Sequence, residues 1–217
     1  MIISHKHKFI FIKTRKTAST SIEIALSQIC GRKDVVTPIA EKDEARRAEL
    51  GSSAQNYYSR SIKNWFRWRR IYYHHISARE VKGLIGDKIW NNYYTFCVER
   101  NSFDKTVSRY FWRKQNGRYA SLKEFLDKER DRLSDWPLYS DDQGEIMVDR
   151  VYQYAQLGEL LDDLSQRFNH KIQLPDYRAK GAVRPAGASH ASILNDSHKE
   201  LIEECFAKEI RTFGYRF

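Results

Sequence analysis

The run His7-Lys8-Phe9-Ile10-Phe11-Ile12-Lys13 limits most strongly what this chain can fold into. Its four consecutive apolar residues, β-branched and aromatic, predict a strand buried on both faces. The run opens directly into Thr14-Arg15-Lys16-Thr17-Ala18-Ser19-Thr20-Ser21, which is rich in hydroxyls and contains no glycine. Ile22, Ala25, Leu26 and Ile29 then recur at helical spacing, and Gly31 closes the run. The unit is strand, short polar loop, helix. A strand covered on both faces requires helices on both sides, which points to an α/β sheet.

A second such unit lies further along. Tyr93-Tyr94-Thr95-Phe96-Cys97-Val98 predicts a buried strand, and Glu99-Arg100-Asn101-Ser102 a short connection. Phe103 to Lys114 predicts a helix with Val107, Tyr110 and Phe111 on one face and Asp104 capping or charging its first turn. Helices are also expected near 41–50, 77–85, 121–131, 156–168 and 193–210, and a strand at 147–154. Strands alternating with helices predict one α/β domain over 1–217, with a central, mostly parallel sheet flanked by helices. Gly, Ala and basic residues dominate 176–191, which predicts a flexible basic loop containing Arg178, Lys180 and Arg184.

Composition removes several classes. The chain has 217 residues, with 38 Lys+Arg against 28 Asp+Glu, a net charge of +10. At 41% hydrophobic and 13% aromatic it is no disordered basic tail. No apolar run approaches the ~20 residues that span a bilayer. The N-terminus runs straight into the first strand and shows no signal peptide, so the expected location is cytoplasmic. Cys30, Cys97 and Cys205 are odd in number and far apart, without C-x-x-C, and the seven histidines show no H-E-x-x-H. Neither a disulfide framework nor a metal site is expected. The positive balance predicts an anionic ligand, and nucleic acid, phosphate ester and acidic glycan all fit it.

In an open α/β sheet, ligands bind at the carboxyl ends of strands, where helix N-termini present free N–H groups to anions. The loop after the first strand stands there, with Lys16 as a full charge and Thr17, Ser19, Thr20 and Ser21 as hydroxyl donors. The plainer reading is a Ser/Thr-rich helix cap beside a solvated lysine. A nucleotide kinase or triphosphatase is an alternative. Its phosphate loop requires G-x-x-x-x-G-K-[ST], whereas here the lysine precedes the hydroxyls and glycine is missing.

Lys16-Thr17-Ala18-Ser19-Thr20-Ser21 after an apolar strand resembles the 5′-phosphosulfate loop of sulfotransferases that use 3′-phosphoadenosine 5′-phosphosulfate (PAPS), in their carbohydrate branch. Val98-Glu99-Arg100-Asn101-Ser102-Phe103-Asp104-Lys105-Thr106-Val107-Ser108-Arg109-Tyr110 resembles the 3′-phosphate motif of that family. Tyr73-His74-His75-Ile76-Ser77-Ala78 resembles its histidine segment, and Leu201 to Phe217 its closing helix and tail. The matches follow in order along nearly the whole chain. Arg15 and Ser102 stand where the family has prolines, Lys105 where it has arginine, and Ala155 where it often has an acidic residue.

The resemblance implies a P-loop-like sulfotransferase architecture and transfer of a sulfuryl group from PAPS to an acceptor hydroxyl, with 3′,5′-diphosphoadenosine (PAP) as product and no metal. It implies that Lys16 neutralises charge on the bridging oxygen and that Thr17, Ala18, Ser19, Thr20 and Ser21 hold the 5′-phosphate. Arg100 and Ser108 would take the 3′-phosphate; Lys180-Gly181 resembles a further 3′-phosphate element, and Lys180 and Arg184 would close over the nucleotide. His75 is the first candidate for general base, with His74 and Glu99 as alternatives. The acceptor is expected to be a small molecule or glycan, with an acidic carbohydrate the leading class, bound on the side of an insertion at 51–75. Arg60 to Tyr73 interleaves basic and aromatic residues. It reads as an acceptor groove, as a nucleic-acid contact, or as an amphipathic helix burying Trp65 and Trp68. A non-catalytic module for RNA or acidic glycan is the remaining alternative, and the retention of Lys16, Arg100 and Ser108 argues against it; nucleic acid is not the expected partner. Oxygen or nitrogen acceptor and oligomeric state are not legible in the sequence.

Overall fold

A computed structural model describes residues 1–60, 68–175 and 188–217, with the backbone alone at 59, 60 and 68–70. The strands are β1 (Ile2–Ser4), β2 (Phe9–Phe11), β3 (Val35–Val36), β4 (Tyr58–Arg60), β5 (Trp68–Arg70), β6 (Tyr94–Glu99) and β7 (Arg150–Gln153). The helices are α1 (Ser19–Ser27), α2 (Glu41–Glu49), α3 (Ala78–Ile85), α4 (Asp87–Trp90), α5 (Ser102–Gln115), α6 (Leu122–Glu129), α7 (Trp136–Tyr139), α8 (Leu157–Arg167), α9 (Asp196–Cys205) and α10 (Ala207–Phe213).

Five strands form one sheet in the order β3-β1-β2-β6-β7. β2, β6 and β7 are parallel, with Phe11 beside Phe96 and Val98 beside Tyr152. β1 runs antiparallel to both β2 and β3. The fold is therefore α/β as expected, but the sheet is mixed, with its parallel part in β2, β6 and β7. Its antiparallel edge comes from β1, a short hydrophobic run joined to β2 by a tight connection, which allows only antiparallel pairing.

Phe9, Ile10, Phe11 and Ile12 are fully buried, and they alternate between two cores. Phe9, Phe11, Phe96 and Val98 pack against Ile22, Leu26 and Ile29 of the α1 region and Leu160 and Leu164 of α8. Ile10, Ile12 and Cys97 face the other way, onto Ala78, Val81, Trp90, Trp136 and Tyr139. This period of two is why an unbroken apolar run serves a strand covered on both sides. A third core joins α5, α6 and α9 through Phe103, Val107, Phe125, Leu126, Ile202 and Phe206.

Two local expectations are corrected. α9 and α10 break at Phe206 rather than forming one helix over 193–210. Trp68 lies on β5, paired with Arg60 across a two-stranded ladder, rather than on an amphipathic helix. That partner lies eight residues away across an antiparallel ladder, a pairing that helical spacing does not register. Trp65 and the rest of 61–67 lie outside the described residues, as do 176–187 with Arg178, Lys180, Gly181 and Arg184.

α5 begins at Ser102, capped by the Asn101 side chain, which accepts from the amides of Phe103 and Asp104. Asp104 therefore does not cap the helix; it supplies the acidic charge in its first turn. The hydroxyl of Ser102 is buried with no hydrogen-bond partner. Asn101 is extended there, with φ −42° and ψ 123°, a conformation that a following proline accepts. Proline suits the first helical position because its missing N–H is not needed there. Ser102→Pro is expected to stabilise the chain by about 0.4–1 kcal/mol, read as a raised midpoint in urea unfolding.

Candidate functional site

The parallel strands β2, β6 and β7 all end at one edge of the sheet. The segment 13–18 leaves β2, Arg100 follows β6, and Tyr154 follows β7. Lys16 and Ala18 both take left-handed backbone conformations, at φ 61° and φ 56°. Neither is glycine, so each costs of order 1–3 kcal/mol unless its surroundings hold it. The bend turns the chain abruptly into α1. Ala18 caps that helix with no side-chain bond, so Ser19, Thr20 and Ser21 contribute first-turn amides of the kind that bind anions.

Hydroxyls brace the bend from within. Thr14 Oγ1 lies 2.8 Å from Thr17 Oγ1 and also donates to the carbonyl of Val98 on β6. Ser19 Oγ donates to the carbonyl of Thr14 at 2.7 Å. Thr17, Ser19, Thr20 and Ser21 are buried, whereas Lys16 and Ala18 are half-buried. Of the hydroxyls predicted to bind ligand, those of Thr17 and Ser19 thus hold the loop itself. Lys16 Nζ lies 5.8 Å from the ring centre of Trp112 on α5. The neighbouring Lys13 is spent elsewhere: it is buried against Glu23, which also meets Arg47. Burial alone would raise the Glu23 carboxyl, but Lys13 and the other cations hold it at about 2.

Arg100 reaches back to this loop. Its Nη1 donates to the carbonyl of Lys16 at 3.0 Å and lies 3.5 Å from Ser108 Oγ. Its Nε and Nη2 pair with Asp104, one turn into α5. Its guanidinium stacks 4.2 Å from the ring centre of Tyr154. Lys16, Arg100 and Ser108, predicted from separate stretches, therefore meet at one place. The ion pair of Arg100 is with Asp104, and Glu99 does not form it.

Glu99 is fully buried. Its Oε1 accepts from Lys105 Nζ at 2.6 Å and from the amide of Arg100 at 2.8 Å, and its Oε2 from Tyr139. Burial raises its carboxyl to about 7 despite Lys105. These partners and the lack of solvent access remove Glu99 as a candidate base. Lys105 also meets Asp135 at 2.9 Å.

His75 sits in a left-handed turn at φ 63°, and its Nδ1 lies 2.7 Å from the carbonyl of Lys13. A carbonyl only accepts, so Nδ1 carries the proton and Nε2 keeps its lone pair. Burial lowers His75 to about 3, against the opposing effect of the Lys13 carbonyl and Asp135. His74 is exposed and lies edge-on to His75, with ring centres 5.2 Å apart.

Three contributors carried no signal in the sequence. Asp135, just before α7, accepts from the amide of Arg15 and pairs with its guanidinium. Arg15 stands where the resemblance has proline, and Asp135 satisfies the N–H that proline would lack. Tyr154 and Trp112 are the others; each looks like an ordinary aromatic until the strands and α5 are assembled. Among the described residues no group of His, Cys, Asp or Glu is placed to hold a metal ion, and no helix is long and apolar enough to cross a membrane.

No family model matches the chain, and no solved structure does. An uncharacterized protein of Archaeoglobus fulgidus is 31% identical over 102 residues, which cover 44% of this chain and 81% of that protein. The chain belongs to one family with that archaeal protein.

His75 gives the site a pH dependence with a defined sign. Its native pKa of about 3 lies below its ordinary 6.5, so below pH 6.5 the unfolded chain takes up a proton that the native chain refuses. The stability it contributes is complete above pH 6.5 and falls as pH drops toward 3. Between pH 7 and 4.5 the wild type is expected to lose roughly 2 kcal/mol more unfolding free energy than His75→Gln, measured by urea melts at both pH values.

Proposed function

We propose that the chain is a sulfotransferase domain that moves a sulfuryl group from PAPS to an acceptor hydroxyl, most simply on a carbohydrate. The observation that carries this reading is the meeting of Lys16, Arg100 and Ser108 at the carboxyl edge of the sheet, beside the first turn of α1. A diphosphorylated nucleotide needs two anion sites a few bonds apart. Here one is a bent loop leading into helix amides, and the other an arginine fork with a hydroxyl. The parallel strands leading to this edge suit a P-loop-like arrangement, although the loop lacks the glycines of a triphosphate cradle.

In the reaction, the acceptor oxygen forms a bond to sulfur as the bond from sulfur to the bridging phosphate oxygen breaks. The acceptor proton goes to His75 Nε2, and the electron pair of the broken bond leaves with the 5′-phosphate. Lys16 and the amides of Ala18 to Ser21 stabilise charge on that leaving phosphate, which is where electrostatic catalysis acts. Arg100 and Ser108 hold the 3′-phosphate and so fix the nucleotide. Burial keeps His75 neutral, and the Lys13 carbonyl holds the proton on Nδ1 so that Nε2 keeps its lone pair. Anions bound nearby raise its basicity. The basic-aromatic stretch of sequence from Arg60 to Tyr73 suits an acidic acceptor.

Two measurements test this reading. PAP is expected to raise the melting temperature, with ~2.7 kcal/mol of stabilisation at a hundredfold excess over its Kd; ATP with magnesium is expected to leave it unchanged. The reverse pattern would identify a triphosphate enzyme. Lys16→Ala and Arg100→Ala should each lower sulfate transfer from labelled PAPS by about 100-fold or more while retaining the wild-type circular dichroism spectrum. Wild-type turnover in both variants would end the assignment.

A further inference from the structure

On the sulfonucleotide reading, two loops must hold two phosphates of one ligand at a fixed separation. The two loops belong to different strands, and side chains on the surface hold such a distance poorly. Beneath them runs an unbroken line of buried polar contacts. The amide of Arg15 donates to Asp135 Oδ2, and Lys105 Nζ lies 2.9 Å from the same oxygen. Lys105 Nζ lies 2.6 Å from Glu99 Oε1, which accepts from the amide of Arg100 at 2.8 Å. Glu99 and Asp135 are fully buried, and Lys105 is 1% exposed.

The line begins and ends on main-chain amides, one in the 5′-phosphate loop and one at the 3′-phosphate arginine. We propose that Glu99, Lys105 and Asp135 form a buried spacer that sets the distance between these two sites and so selects nucleotides carrying both phosphates. None of the three touches ligand, so each is a positioning residue. Two carboxylates sharing one ammonium away from water form a stiff link, because any lengthening leaves a buried charge without its partner. Such a group contributes little net stability compared with apolar residues of the same size. Its value here is geometric. Tyr139, which donates to Glu99 Oε2 at 3.2 Å, fixes the remaining carboxylate oxygen.

The test compares PAP with 5′-AMP, which lacks the 3′-phosphate, by isothermal titration of wild type, E99Q and D135N. The wild type is expected to prefer PAP by about tenfold or more, as charged hydrogen bonds to a phosphate allow. Each variant should lose about fivefold of that preference, while K105R, which can still bridge both carboxylates, should keep it. If a single variant fails to fold, E99Q/K105M/D135N removes the buried ammonium together with both carboxylates, leaving only the half-buried Arg15 guanidinium without its partner, and the same loss is expected. Undiminished preference in folded variants would overturn the proposal. So would a parallel loss of both ligands, which would mean that the three residues only support the fold. A wild type with no preference for PAP would instead refute the sulfonucleotide reading itself.

Discussion

The bend between Lys13 and Ala18 keeps its shape because groups from three distant parts of the chain hold it. Two of its residues, Lys16 and Ala18, sit in a backbone region that side chains disfavour. His75 meets the Lys13 carbonyl, Arg100 donates to the Lys16 carbonyl, and Asp135 accepts the Arg15 amide. Each bond closes on main chain, and each comes from a different connection: the turn before α3, the end of β6, and the residue before α7. Held in this way, the bend presents α1 to the edge of the sheet with a first turn that no side chain caps. The site depends on the tertiary contacts of the bend more than on the loop sequence.

The excess of positive charge reads differently once burial is known. Lys13, Arg47, Lys105 and Arg109 lie inside the protein, paired with Glu23, Glu99, Asp135 and Glu129. These cations serve internal carboxylates and say nothing about a ligand. Among the described residues Lys16 and Arg100 lie half-buried at the carboxyl edge of the sheet, Arg100 with Asp104 as its ion-pair partner. Because these buried cations and carboxylates cancel, the net charge of +10 is carried by the rest of the chain, where it favours an anionic partner without naming one.

The core explains why the site stands where it does. Phe96 stacks on Phe11 and Tyr94 and meets Tyr152 edge-on, so aromatic rings lock β2, β6 and β7 side by side. Locking these three strands aligns their ends, and alignment brings Lys16, Arg100 and Tyr154 together. Helices α1 and α8 cover this face, so the strands cannot slide without exposing apolar surface. The antiparallel β1 and β3 extend the sheet on the other side and leave the edge that carries the site unchanged.

Local pattern was enough for the two strand-loop-helix units, because an apolar run of period two and a following stripe of period 3.6 are read from neighbours in sequence. Lys16 stood out from the loop after the first strand, whereas Arg100, Ser108 and His75 were singled out by the motifs that resemble the sulfotransferases. Local pattern did not show that Glu99 faces Lys105 rather than its neighbour Arg100, because the turn from β6 into α5 brings the lysine six residues on back beneath the strand end. Nor did it show Asp135 under the loop or Tyr154 against Arg100. Those depend on contacts between residues far apart in sequence, such as Arg15 and Asp135. A hydrogen bond of that kind forms only after the sheet has brought its strand ends together. The sequence by itself determined which elements form and where polar loops interrupt them; packing across the sheet decided which of those polar groups were free to bind and which were consumed in holding the others.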